Sequence, residues 1–172
     1  MSTTQPFSKP AFLAWIRESA TEWERFFLLA IALQGVSIIY LTSLHWVRFD
    51  NGSHISGFDA DAVTSSGDGY LIAGFVGAAL AATLAAFIAS KAVSWLMPIV
   101  GIAGIAILAV AGYDIGASWR ASGVSDSGAI FVSDGSVAGT AYAVAILGGL
   151  MALVASLVVG LRYWEAEEES LA

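Results

Sequence analysis

A chain of 172 residues that is 58% apolar and 12% charged, with a mean hydropathy of +0.77, has too little polar surface to coat a soluble domain of its size, and its hydrophobicity excludes intrinsic disorder. Seven basic residues against fourteen acidic ones, a formal charge of −7, argue against nucleic acid, which needs a basic stripe to meet phosphates. The absence of cysteine removes a disulfide framework, a thiolate metal site and a cysteine nucleophile. An integral membrane protein remains.

The first predicted element is an amphipathic helix over residues 8–24. Ser8 can cap it, Pro10 falls in its first turn, and Phe12, Ile16, Ala20, Trp23 and Phe27 recur at helical spacing, with Arg17, Glu18 and Glu22 mostly off that stripe. It reads as an anchor in the inner interface, with a docking surface for a partner helix as the alternative. The first span, about 26–46, has Gln34 and a few hydroxyls as its polar members. Its apolar run is too long and too deep in the chain for a cleaved signal peptide, so it reads as a retained helix.

An outer loop over about 47–69 follows. Trp46-Val47-Arg48-Phe49, then Asp50-Asn51-Gly52, then His54 to Phe58 has the alternation and turn of a strand and hairpin. Asn51-Gly52-Ser53 is formally a glycosylation acceptor. Asp59, Asp61 and Asp68 are weak calcium candidates; their register is not that of an EF-hand, and solvated acidic turns account for them as well. His45 and His54 are the two histidines, fewer than the three or four ligands a zinc site usually needs. His45 reads as an interfacial polar residue, and no histidine is paired with it for a haem.

The second span, about 70–89, and the third, about 93–113, are joined by a minimal turn at Ser90 and Lys91, which makes them antiparallel neighbours. Pro98 lies near the start of the third span, where proline is tolerated. Asp114 follows that span. It is expected to form a structural ion pair with Arg48 or Arg120, which fixes the loops. In the second long loop, about 114–136, Ala129-Ile130-Phe131-Val132 before Ser133-Asp134-Gly135-Ser136 gives another strand and turn, and strands of the two loops are expected to pair as a small extracellular β-cap. The fourth span, about 137–163, is long enough to tilt and ends in an acidic tail, 164–172.

Lys9, Arg17, Arg25, Lys91 and Arg162 fall on one side of these spans, Arg48 and Arg120 on the other. The positive-inside rule then puts both termini in the cytoplasm. All seven Asp fall outside and all seven Glu inside, as expected for outer turns and inner helical extensions. Small residues inside the spans are helix-packing candidates: Gly74, Gly77, Ala78, Ala81, Ala82, Ala85 and Ala86; Gly101 and Gly104; the pair Gly112 and Gly116; Gly148 and Gly149. Lipid gives no hydrophobic drive to helix association, so close backbone approach supplies the packing. Whether these faces close the bundle or meet another subunit stays open. Gln34, Ser37, Thr42 and Thr83 are too few for a translocation path. Neither a Gly-x-Ser-x-Gly elbow, a phosphate loop nor a His-Glu-x-x-His pair occurs, so no catalytic residue, resident metal or cofactor is assigned.

Leu44-His45-Trp46, Ser56-Gly57, Gly67-Asp68-Gly69-Tyr70, Tyr113-Asp114 and Gly148-Gly149 together resemble small four-span membrane proteins of unknown function found widely in actinobacteria. Many of those have Pro before the Trp, where this chain has His45. The resemblance implies a plasma-membrane location. The layout also resembles the claudin-like arrangement of four helices with outer strands, without that family's double-tryptophan and cysteine-pair signature. The expected fold is an all-α membrane protein, an antiparallel four-helix transmembrane bundle with an interfacial helix and a β-cap. The expected function is non-enzymatic, that of a structural or accessory subunit working in the bilayer with other membrane subunits or as a homo-oligomer. The alternative is a small transporter, channel component or envelope sensor with a ligand or cation at the acidic outer loops. An enzyme would need Asp114, Arg48 and His45 to converge in one cleft.

Overall fold

The computed structural model describes residues 22–49, 54–58, 68–89, 92–121 and 135–171, with side chains at all of these except 22, 47–49, 54, 55, 117–121, 135–137 and 165–171. In chain order the elements are α1 (Glu22–Thr42), β1 (His45–Phe49), β2 (His54–Ser56), α2 (Asp68–Ile88), α3 (Val93–Ala121), β3 (Gly135–Val137) and α4 (Gly139–Leu171). Each of the four helices holds a segment of 20 to 26 residues long and apolar enough to cross a membrane. Glycine and β-branched residues inside these segments do not break them, since in lipid the backbone must satisfy its own hydrogen bonds and the helix is the local way to do so.

Apolar side chains lie both inside the bundle and on its outer faces. Ile38, Val76, Ala79, Ala86, Val100, Ala103, Ala111, Val144 and Ala155 fill the interior, while Leu33, Leu84, Phe87, Ile102, Ile105, Ile146 and Leu153 point outward. In water that exterior would be an aggregation surface; in a bilayer it is the solvated one. The helices form a ring in which α1 packs on α2 and α4, and α3 packs on α2 and α4, with α3 against α4 the most extensive contact. The link from α2 to α3 is tight: the Ala89 amide donates to Ala85 O and the Ala92 amide to Ala89 O, both at 2.8 Å.

At one end lies a three-stranded antiparallel sheet in the order β2-β1-β3. The β1–β2 hairpin falls where the alternation placed it, with a register shift between His45 and Val47. Other boundaries differ from the sequence reading. The first span was expected to run to Trp46, but α1 stops at Thr42, where the Ser43 amide bonds Ile39 O and Tyr40 O, and His45 and Trp46 already belong to β1. The strand of the second long loop is Gly135–Val137, inside the expected turn and at the expected start of the fourth span; it pairs Val137 with Val47 as the lead-in to α4. The expected strand at 129–132 lies outside the described residues, as do 8–21 of the interfacial helix. α3 continues eight residues past Tyr113 to Ala121, and α4 carries the acidic tail as helix to Leu171. At ~1.5 Å per residue both outrun a hydrocarbon core of about 30 Å.

Candidate functional site at the cap end and on the helix faces

Trp46, Gly57, Asp68, Gly69, Tyr70 and Asp114 lie at the cap end of the bundle, whereas Gly148 and Gly149 lie at the α3–α4 seam. Trp46 folds back from β1, buried, and its indole donates to Leu41 O in the last turn of α1 at 3.3 Å. The Gly57 amide donates to Thr42 O at 3.0 Å, and its carbonyl accepts from the Gly69 amide at 2.8 Å. One residue thereby caps the end of α1 and the start of α2. A Cβ at Gly57 would lie 2.8 Å from Thr42 Cγ2, and one at Gly69 would lie 2.5 Å from the Gly57 carbonyl carbon, so both positions require glycine. On the other side of β1 the Ala138 amide donates to Trp46 O at 2.8 Å, and the Thr140 hydroxyl donates to His45 O. These bonds satisfy helix-end groups that would otherwise face a poorly hydrated interface. Phe58 packs edge-on against Tyr70 with ring centroids 5.3 Å apart.

Below this junction Asp114 of α3 is 7% exposed and shares a side-chain hydrogen bond with Asp68 of the first turn of α2. Asp68 also stands at a helix N-terminus, where the dipole favours a carboxyl. Arg48 lies in β1 opposite His54 and Ser136, and Arg120 lies in the last turn of α3. The side chains of both arginines lie outside the described residues, and so does the expected ion pair. Of the calcium candidates, Asp59 and Asp61 lie outside as well. His45 is exposed. Among the described residues no three His, Cys, Asp or Glu are grouped to hold a metal.

The span hydroxyls are turned onto their own helices: Ser37 to Leu33 O at 2.8 Å, Thr42 to Ile38 O at 2.7 Å and Thr83 to Ala79 O at 2.7 Å. Gln34 differs, with a buried Oε1 that has no hydrogen-bond partner among the described residues.

The small residues divide into two sets. At the α3–α4 seam a Cβ on Gly104 would fall 2.6 Å from Gly148 O, and one on Gly148 would fall 2.9 Å from Gly104 O. There backbone lies on backbone. Gly101 and Gly149 flank the seam at ordinary contact distances from Ala155 and Leu108, and Gly116 is half-buried. Gly74, Gly77 and Gly112 meet nothing within 4 Å among the described residues. Gly74, Gly77, Ala78 and Ala81 are all exposed on α2, and their three- and four-residue spacing puts them on one face.

A pair that the charge count did not connect closes the opposite end. Arg162 of α4 holds Glu24 of α1 in a two-point ion pair, with Nη2 2.8 Å from Oε2 and Nε on Oε1, and Glu24 is fully buried. The signal lay in the spacing: Glu24, Leu28, Ile31, Gly35, Ile38 and Thr42 form the continuous buried stripe of α1. No known protein family, curated protein or solved structure matches the chain.

Proposed function

We propose that this is a non-enzymatic, multi-pass protein of the plasma membrane, an antiparallel bundle with both termini in the cytoplasm and the cap outside, serving as a structural or accessory subunit of a membrane complex. The observation that carries the reading is the outward face of α2. The chain uses glycine for backbone contact between α3 and α4, yet among the described residues Gly74 and Gly77 have nothing within 4 Å and Ala78 and Ala81 are exposed beside them. A small-residue face gives lipid tails little to pack on and lets another helix approach closely. The transporter or sensor reading draws less support, because the hydroxyls of Ser37, Thr42 and Thr83 are spent on their own backbones and do not line a polar path. The test is purification from the native membrane in a gentle detergent, with co-purifying proteins identified by mass spectrometry. A reproducible membrane-protein partner is expected. A lone monomer would overturn the reading and move weight to a self-contained transporter or sensor.

A further inference from the structure

The helices of the ring are not held alike, and α1 stands apart. At Gly35 it meets side chains of α2: a Cβ there would lie 2.9 Å from Leu80 Cδ2, a tip that can rotate away, and 3.4 Å from Val76 Cγ1, unlike the backbone atoms that meet at Gly104 and Gly148. Midway along α1 the buried Gln34 Oε1 has no hydrogen-bond partner among the described residues. The amide oxygen therefore adds no hydrogen bond to hold α1 against the bundle. The two ends of α1 are fastened by different means. At the cap end the Gly57 amide on Thr42 O and the Trp46 indole on Leu41 O hold it through main-chain acceptors. At the far end Glu24, fully buried, is gripped at both oxygens by Arg162, whose side chain is 27% exposed.

A buried ion pair is a poor source of net stability compared with apolar packing, and its best-attested use is to specify one arrangement over another. A two-point guanidinium–carboxylate pair fixes angle as well as distance. An ionised pair beside the hydrocarbon region is also where a functional role is expected first. We infer that α1 is a hinged strap of the bundle, pinned by backbone bonds at the cap and latched to α4 by Glu24–Arg162, so that breaking the latch lets its far end swing out while α2, α3 and α4 stay packed. The inference is independent of the accessory-subunit reading and holds for a monomer.

The chain has no cysteine, so label pairs can be placed freely. One pair, Leu29→Cys with Leu157→Cys, spans α1 and α4; a control pair, Trp95→Cys with Leu157→Cys, spans α3 and α4. All three positions are exposed. Spin-label distance distributions are recorded in phosphatidylcholine nanodiscs for the parent, Glu24→Gln, Arg162→Gln and the double variant. The expected result is one α1–α4 distance in the parent and a second, longer population in either single variant, with the α3–α4 distance unchanged. The double variant should open no further than the singles, as for two residues acting through one contact. Unchanged α1–α4 distances in the single variants would overturn the latch. Broadening of both label pairs together would also overturn it, by making the ion pair a requirement of the whole fold. Additive opening in the double variant would do so too, by showing that the residues act separately.

Discussion

The α3–α4 seam and the outward face of α2 are built from the same kind of residue and stand in opposite situations. At the seam Gly104 and Gly148 bring main chain onto main chain, and no side chain fits between. On α2, Gly74 and Gly77 open onto space with Ala78 and Ala81 beside them. Glycine in a span says that close approach is allowed; the neighbouring backbone decides whether it is used. Inside a membrane this distinction matters more than in water, because helix pairing rests on packing rather than on escape from solvent.

Substitutions that add one carbon at a time sharpen the contrast, with stability read by unfolding in mixed detergent micelles. Gly104→Ala is expected to have the largest effect. The new carbon lands 2.6 Å from Gly148 O and 2.7 Å from the Ala152 amide nitrogen, atoms that can give way only if the helices part, so the loss should reach or exceed the ~1–3 kcal/mol typical of overpacking. Tolerance of this change would mean that the seam is looser than drawn. Thr140→Val is expected next, at about 1 kcal/mol, for the lost hydroxyl bond that ties the start of α4 to β1. Gly35→Ala should cost less than Gly104→Ala, since its nearest neighbour is the rotatable tip of Leu80; equal costs would erase the difference between a main-chain seam and a side-chain seam. Gly77→Ala should be neutral or gain up to ~1 kcal/mol through helix propensity, because it meets nothing. A clear destabilisation there would show that the α2 face is already packed in the isolated protein.

The helices were legible because membrane spans advertise themselves by length and apolarity alone: α2 deviates from its expected span by one or two residues at each end. The β1–β2 hairpin was legible from the alternation after Trp46. Their joints were not. Nothing local to His45 and Trp46 says that they leave the helix; what decides it is the return of Gly57 onto Thr42 O, a contact fixed by tertiary structure. β3 was masked by its glycine and serine, which read as turn, while its partner Val47 lies ninety residues away. Among the site candidates, Asp114 was singled out and is buried, but its hydrogen bond to Asp68 was hidden because the charge argument sought only opposite signs. Glu24 was missed because it was counted toward topology rather than placed on the stripe that continues through Leu28 and Ile31. Of the glycines expected to pack, Gly104 and Gly148 meet backbone, while Gly74, Gly77 and Gly112 meet nothing within 4 Å among the described residues; composition could not divide them, since inward and outward glycines are chemically the same.

The most direct test of the account is to fill the α2 face and ask what is lost from the native membrane. Gly74→Leu with Gly77→Leu is compared with Gly160→Leu, which enters equally open space on α4, in gentle-detergent purifications followed by mass spectrometry. The account predicts that the α2 variant stays folded and loses the co-purifying membrane partner, while Gly160→Leu keeps it. Retention of the partner by the α2 variant would contradict the assignment of that face to another subunit.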